Sequence, residues 1–281
     1  MARVTQEDVA REAGVSRALV SFAFRDVGRV SPATKQLILD AAQRIGYRHN
    51  RMAARLASRR TNTIGMFIPD LRNTIIPDIY EGVREATDAA SEQLVIAVSD
   101  ADGKRDRAAI DELMGVQVDV SIVPGCVLPS EELLELAQVC PMVVATREVA
   151  GLDSVLSDPV RGSALVVEHL VQLGHRRIVH IAPPVGTVFH HRADAYADAM
   201  RSAGLEPKVV HCGFRQADAA DVAGELLDAP VPPTAIFANN DVAALGVLDA
   251  MAARGLRAPH DLSVVGYDNT PTSALPGISL T

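Results

Sequence analysis

The first fifty positions place apolar residues at the spacing of short helices. The pattern predicts a first helix at 6–13 and a second at 17–24, because apolar residues recur every three or four positions in each. Thr5 and Ser16 are suited to cap these helices, and Gly14 suits a left-handed backbone between them. Two short helices joined by a three-residue turn that contains glycine form a helix-turn-helix.

A third helix is predicted to begin at Ser31 and Pro32 and to continue at helical spacing until Gly46. Three short helices of this kind can enclose a small apolar core. Helix pairs of this shape also occur in proteins that do not bind DNA, so the pattern alone leaves both interpretations open.

From Thr63 onward, short apolar runs alternate with amphipathic segments, which predicts an α/β fold with parallel sheets. The predicted strands are 64–68, 94–99, 120–123, 142–145, 178–182, 209–211, 235–238 and 263–266. The predicted helices are 75–91, 108–114, 131–138, 162–173, 192–203, 219–227 and 242–254.

Charge is distributed unevenly along the chain. Residues 1–60 contain 12 Lys and Arg against 5 Asp and Glu, whereas the other 221 residues contain 15 against 30. The first segment is therefore formally +7 and the remainder −15, within a total of −8. A basic module attached to an acidic body favours contact with a polyanion such as DNA, and a charged solvated face is the alternative.

In a helix-turn-helix the second helix enters the major groove of DNA. Arg17 can donate two hydrogen bonds to guanine, whereas Ala18 and Phe22 can contact a thymine methyl group. Hydroxyl groups near helix starts are predicted to contact phosphates, with simple capping as the alternative. These hydroxyl-bearing residues are Thr5, Ser16, Ser21, Ser31 and Thr34.

Several separated motifs agree in order with one known pattern. They are Val4–Thr5, Asp8–Ala10, Ala13–Ser16, Val20–Ser21, Arg29–Ser31 and Ile45–Tyr47, followed by 170–178, 235–241 and 261–268. Together they resemble the LacI/GalR family of bacterial transcription regulators. Phe22 is a departure, because the family commonly has arginine at that position.

The resemblance implies a small all-α headpiece followed by a two-lobed, parallel-sheet effector domain like that of periplasmic binding proteins. The expected boundaries are 1–48 for the helix-turn-helix domain, 49–61 for a hinge, 62–158 for the first lobe and 159–281 for the second. It also implies that about fifty residues of the usual carboxyl end are missing.

The resemblance further implies a sequence-specific regulator, typically a repressor, that binds double-stranded operator DNA as a homodimer. Its affinity for the operator would be modulated by a small-molecule effector, a sugar or a related metabolite. In the hinge, Leu56 would wedge into a base step, while Asn50, Arg51 and Arg55 would contact phosphates. A basic interdomain linker is the alternative interpretation of this segment.

Ligands of open α/β sheets bind beyond the carboxyl ends of the strands. By resemblance, Arg192 and Asp241 are expected to contact the effector, and Asn73 and Asp268 are further candidates in loops after strands. An ion pair for Arg192, a helix cap for Asp241 and an Asx turn for Asn73 are the structural alternatives.

Enzyme motifs such as phosphate-binding glycine loops, zinc-protease helices and nucleophile elbows do not occur in the sequence. We therefore expect no catalytic residue, no cofactor and no metal, and the adjacent His190 and His191 do not place two ligands on one helical face. Cys126, Cys140 and Cys212 are widely separated, which favours reduced thiols.

The sequence carries neither an apolar run of the roughly 18 to 20 residues needed to cross a bilayer nor a secretory signal. We therefore expect a cytoplasmic protein without membrane contact. Two other functions stay open from sequence: a solute-binding protein, which would leave the headpiece unexplained, and a regulator that binds DNA without any effector.

Overall fold

The computed structural model describes residues 4–25, 30–47, 60–278 and 280. The chain divides into two compact units, Met1–Arg60 and Thr61–Thr281. The first unit contains helices and the second contains two parallel sheets with their helices, so the fold class predicted from the sequence is confirmed.

The first unit contains helices α1 (Gln6–Ala13), α2 (Arg17–Arg25) and α3 (Pro32–Arg44). Gly14 ends α1 with φ +65°, a backbone conformation that glycine adopts without steric cost. At the start of α1, Thr5 and Asp8 form a capping box, in which each side chain accepts a hydrogen bond from the other residue's backbone N–H.

The core of this unit is small and rich in alanine. Val9, Val20 and Ile38 are its largest fully buried side chains and come from α1, α2 and α3 respectively. Arg44 at the end of α3 donates to the Glu12 carboxylate at 3.1 Å, which adds an exposed ion pair between helices.

The first sheet has the strand order β2-β1-β3-β4-β5, with every neighbouring pair parallel. Its strands are β1 (Thr63–Ile68), β2 (Gln93–Val98), β3 (Val120–Pro124), β4 (Met142–Ala145) and β5 (Asp153–Val155). The helices between them are α4 (Ile76–Ala89), α5 (Asp106–Gly115) and α6 (Ser130–Ala137).

The second sheet has the order β7-β6-β8-β9 and is also parallel throughout. Its strands are β6 (Ile178–Ala182), β7 (Lys208–His211), β8 (Ala235–Ala238) and β9 (Ser263–Val265). The associated helices are α7 (Pro159–Gln172), α8 (His191–Ser202), α9 (Gln216–Leu227) and α10 (Asp241–Ala252).

Alternating side chains explain why both faces of each sheet are covered. In β1, Phe67 belongs to the apolar cluster beneath α5 and α6, whereas Met66 and Ile68 belong to the cluster beneath α4. In β8, Ile236 packs toward α9 and α10, whereas Phe237 packs toward α7 and α8. Successive residues of a strand point to opposite faces, so these continuous apolar runs are buried on both sides.

Strand β5 was not predicted from the sequence. It contains Asp153, Ser154 and Val155, which have no run of apolar side chains, and it is held at the sheet edge by parallel pairing with β4. Short edge strands with polar side chains produce no periodic hydrophobic signal.

Candidate functional sites

Helix α2 presents a basic, solvent-facing edge within the first unit. Arg17 and Ala18 at its start are exposed and Phe22 is half-buried, whereas Val20 on the other side is buried. The Arg17 guanidinium lies 3.9 Å from the Glu7 carboxylate, and both side chains are 69% exposed. An exposed ion pair at this distance costs little to break, so Arg17 is available to another acceptor.

The hydroxyl groups at the helix starts act as caps. The side-chain oxygens of Thr5, Ser16 and Ser31 accept hydrogen bonds from the backbone N–H three residues further along, at 3.4, 3.3 and 3.2 Å. The Thr34 hydroxyl oxygen lies 2.8 Å from that of Ser31, and Ser21 is half-buried on α2. Capping is therefore present, and phosphate contact by these residues stays a prediction.

The predicted hinge contacts of Asn50, Arg51, Arg55 and Leu56 lie outside the described residues. Their roles stay predictions from the sequence.

A cleft of about 530 Å³ lies within the second unit, where loops of both sheets meet. Residues that follow β1, β3 and β4 line one wall, and residues that follow β6, β7, β8 and β9 line the other. Parallel strands of a sheet end at the same edge, so side chains from distant parts of the sequence converge there. The volume falls within the roughly 300 to 1,000 Å³ typical of small-molecule sites.

Arg192, in the first turn of α8, lies in the wall of this cleft. Its Nη1 donates to the carbonyl oxygen of Asn239, and its Cζ lies 3.5 Å from the centroid of the Tyr267 ring. Burial lowers the pKa of Arg192 from its ordinary value, and the neighbouring Asp268 opposes that shift. The side chain is thus held in place by a carbonyl group and a ring.

The Asp241 carboxylate binds a neighbouring loop, and its contact with an effector stays a prediction. Its carboxylate is buried and accepts hydrogen bonds from the backbone N–H groups of Tyr267 and Thr270, at 3.0 and 2.8 Å, and from the Thr270 hydroxyl at 2.8 Å. A side chain at Gly266 would collide with this carboxylate. Asp241 therefore fixes the 266–270 loop, while its neighbour Asn240 lines the cleft.

That loop carries Asp268 into the cleft wall. Its backbone φ is +93°, a strained value for a residue other than glycine, which the hydrogen bonds to Asp241 help to maintain. Burial raises the pKa of Asp268 to about 7, although the charge of Arg192 acts in the opposite direction.

Asn73 also lines the cleft, and its side-chain oxygen accepts a hydrogen bond from the Ile75 backbone N–H at 3.3 Å. This is the Asx turn considered as the alternative from sequence, and it leaves the side-chain amide N–H₂ group for a ligand. The structure thus brings Asn73, Arg192 and Asp268 to one cavity, and ligand contact by each stays a prediction.

Sequence reasoning missed Arg147, which follows β4 and lines the same cleft. The side chain is 2% exposed, its Nη2 donates to the Leu128 carbonyl at 2.7 Å, and Nε and Nη1 have no partner among the described residues. Its position directly after a strand was the available signal, because the carboxyl end of β4 faces the cleft.

Two phenylalanines in the cleft were also missed. The rings of Phe189 and Phe214 lie edge to face, with centroids 6.4 Å apart and planes at 85°. Ile75 and Val127 lie in the opposite wall. The cavity therefore combines apolar surface with a few charged groups, which is the usual composition of a ligand site.

Two contacts join the loops of the two sheets across the cleft. Arg215, which follows β7, donates to the Asp102 carboxylate, which follows β2, at 2.9 Å. The Tyr267 hydroxyl lies 3.5 Å from the Ser157 hydroxyl in the crossover between the sheets. Both contacts are at least partly exposed, so they can break and re-form at modest cost.

Within the described ranges there is no cluster of three or more His, Cys, Asp or Glu side chains that could hold a metal ion. The three cysteines are free thiols. In the same ranges no helix is both long and apolar enough to cross a membrane.

Both units of the chain are similar to known proteins. Residues 5–50 match the family described as bacterial regulatory proteins, lacI family, and residues 167–281 match the periplasmic binding protein-like domain. Catabolite control protein A of Priestia megaterium is 30% identical, with 99% of this chain and 86% of that protein aligned.

The HTH-type transcriptional repressor CytR of Escherichia coli (strain K12) is 32% identical over 94% of this chain and 80% of its own length. The crystal structure of the lac repressor dimer bound to operator and the anti-inducer ONPF superposes with a TM-score of 0.84 at 26% identity. That superposition covers 97% of this chain and 84% of the other. The chain therefore belongs to the LacI family of bacterial regulatory proteins, and it is a DNA-binding regulator of transcription.

Proposed function

We propose that two copies of this chain bind a near-palindromic operator and that a small molecule in the interlobe cleft sets their affinity for it. One observation carries this proposal: the same chain contains two features in separate units. The first is an exposed arginine on the second helix of a helix-turn-helix, and the second is a cavity lined by polar and apolar side chains. The first feature recognises DNA and the second recognises a ligand.

In the headpiece, Arg17 reads guanine through its paired N–H donors, and Ala18 and Phe22 contact thymine methyl groups. The hydroxyls of Thr5, Ser16, Ser31 and Thr34 lie at or near helix starts and that of Ser21 lies in the middle of α2, and all five position the headpiece on the phosphates. The formal +7 of residues 1–60 supplies the affinity for DNA that does not depend on base sequence.

The lac repressor in the similar structure is a dimer on its operator. We extend that arrangement to this chain: two headpieces occupy adjacent major grooves about one helical turn apart, so the operator repeats with two-fold symmetry. Hinge residues Asn50, Arg51 and Arg55 contact phosphates, and Leu56 enters the minor groove between the half-sites.

The effector binds between Asn73 on one wall and Arg192 and Asp268 on the other. Because each lobe supplies only part of the site, the affinity for the ligand depends on how closely the two lobes approach each other. Coupling between ligand and DNA is reciprocal, so a ligand that changes operator affinity must bind the two states with free energies that differ by typically 1 to 3 kcal/mol.

Selection of bound sequences from a random duplex pool tests DNA recognition. The expected result is a two-fold symmetric site, and Arg17→Ala should relax base preference at one position per half-site, a loss of about 1 to 3 kcal/mol in discrimination. Arg44→Ala removes the same charge from the same unit and should leave base preference unchanged. Equal enrichment of all sequences by the unaltered protein would contradict the proposal.

Titration of small-molecule pools against thermal stability tests the cleft. A ligand present at 100 times its dissociation constant stabilises the protein by about 2.7 kcal/mol. Retention of duplex binding with no stabilisation by any pool would favour a regulator that binds DNA without an effector. A pool that stabilises the protein should also change its operator affinity, because the two binding events share one conformational equilibrium.

A further inference from the structure

Several charged groups line the cleft, and some of them are paired with each other. Asp70 accepts hydrogen bonds from the Arg72 backbone N–H and Nε, at 3.1 and 3.0 Å, so these two side chains neutralise each other. Arg215 is neutralised in the same way by Asp102 at 2.9 Å. The remaining charged groups of the cleft wall are Arg147, Arg192 and Asp268.

Both remaining arginines retain unused donors. Arg147 donates only to the Leu128 carbonyl in the described contacts, and its Nε and Nη1 are buried without an acceptor. Arg192 donates to the Asn239 carbonyl, and its Nε is likewise buried without an acceptor. A guanidinium presents five N–H donors, and a buried donor without a partner is unfavourable, so these groups favour an acceptor supplied from the cleft.

Asp268 is the carboxyl group of the cleft wall whose charge acts on Arg192. Because burial raises its pKa to about 7, the carboxyl is partly protonated at neutral pH. Helix α8 also begins at this cleft without a side-chain cap, so its first backbone N–H groups add positive potential. The buried carboxylates of Asp106 and Asp241 act on the charges of Arg147 and Arg192 respectively, so the unused N–H donors, rather than the net charge of the cavity, favour an anionic acceptor.

From these contacts, and building on the proposed function, we infer that the effector is an organic anion whose carboxylate or phosphate binds to Arg147 and Arg192, with a compact apolar body against Phe189 and Phe214. Arg147 belongs to the wall after β4 and Arg192 to the wall at α8. One anionic group held by both would draw the lobes together, so the charge of the ligand is also the means by which it favours closure.

Matched pairs of probes test this inference on the full 281-residue chain. Gluconate and glucose 6-phosphate are each compared with glucose, and benzoate is compared with benzyl alcohol, by calorimetric titration at constant ionic strength. We expect at least one anion to bind on the order of tenfold to a hundredfold more tightly than its neutral partner, because charge-assisted hydrogen bonds are stronger than neutral ones. The carboxylate and phosphate arms show which anionic group fits.

Substitutions in the cleft test where the anion binds. Arg147→Gln and Arg192→Gln should each weaken binding of the anion about tenfold or more and leave the neutral partner unaffected. Arg147→Lys keeps the charge but not the forked donors, so it should recover part of the affinity if Arg147→Gln folds poorly. Arg201→Gln, an exposed arginine paired with Asp198 at the end of α8, is the matched control and should change nothing.

Three outcomes would overturn the inference: equal affinity for charged and neutral partners, no binding of any anion in the panel, or anion binding that survives both glutamine variants. Duplex binding is measured on the same preparations. If the protein binds duplex but prefers neutral ligands, this inference fails and the proposed regulator survives. If it binds no duplex, the proposed function itself fails.

Discussion

The helical headpiece and the cleft assemble their functional groups in different ways. The candidate DNA-contacting side chains of the headpiece lie within one helix and at the ends of its neighbours, whereas the cleft takes Asn73, Arg147, Arg192 and Asp268 from loops nearly two hundred positions apart. A local site depends on the stability of a few helical turns. A distributed site depends on the register and packing of two whole sheets.

The stability of the two units also has different sources. Among the described residues, the buried side chains of the headpiece are apolar, while the second unit buries His180, Asp106, Arg147 and Asp241. Polar groups inside a core make stability depend on pH and on satisfied hydrogen bonds. The comparison therefore predicts that acid and single polar substitutions affect the cleft unit first.

The largest expected effect is acid destabilisation through His180. This side chain is fully buried in β6, its Nδ1 lies 2.9 Å from the Phe237 carbonyl, and burial lowers its pKa to about 3. At His180 the unfolded chain binds a proton below about pH 6.5 and the folded chain does not until about pH 3, so the contribution of this residue to stability falls as pH decreases through that window, whereas the raised pKa of Asp268 acts in the opposite direction. The loss is on the order of 5 kcal/mol.

Hydrogen exchange between pH 7 and 4 would locate this loss. As pH decreases, amides of β6 and β8 should lose more protection in the unaltered chain than in His180→Phe, which gives up the hydrogen bond to Phe237. Amides of α1 and α3 should show no such difference between the two proteins. An unchanged slope in the variant would show that other groups cause the acid sensitivity.

The second largest expected effect is a loss of operator binding by the headpiece alone. Ile38 is fully buried, and Ile38→Ala should cost about 2 to 5 kcal/mol, a large share of the stability of a small core made mostly of alanine. Operator binding should be lost while ligand binding to the cleft persists. The adjacent Leu37 is 46% exposed, so Leu37→Ala is the matched control and should change stability by less than about 0.5 kcal/mol.

The same contrast explains what could be predicted from sequence. The ends of α1 follow from Thr5, Asp8 and Gly14, whose capping and turn chemistry is local and therefore readable in a single segment. Long apolar runs in β1 and β6 likewise predict buried strands without knowledge of their neighbours. Strand β5 exists only through its pairing with β4, so nothing within its own residues indicated it.

The cleft could be predicted in position but only partly in composition. The rule that ligands bind at the carboxyl ends of parallel strands applies to Arg147 as well as to Arg192, yet only resemblance singled out Arg192. For Asp241, position after a strand indicated a ligand contact, which stays a prediction, but it did not indicate that the carboxylate accepts hydrogen bonds from a loop 26 to 29 residues further along the chain. Such long-range pairing has no local signature.

A smaller effect distinguishes two roles of Asp241, support of the 266–270 loop and contact with the ligand. Asp241→Asn replaces one acceptor oxygen by a donor facing the N–H groups of the 266–270 loop, which should cost about 1 to 3 kcal/mol. Because that loop carries Asp268, ligand affinity should also decrease. Asp249→Asn on the same helix is exposed and serves as the control. If Asp241→Asn weakened ligand binding with no loss of thermal stability, direct ligand contact would be the better explanation.

The smallest effect separates the two roles assigned to the headpiece hydroxyls. Thr5→Ala removes the cap of α1 and should cost about 1 kcal/mol, whereas Thr5→Ser keeps the hydroxyl and should restore most of that loss. If Thr5 acts only as a cap, operator affinity measured well below the melting temperature should change little in either variant, because nearly all molecules are still folded. A selective loss of affinity in Thr5→Ala under those conditions would instead show that the hydroxyl contacts a phosphate directly.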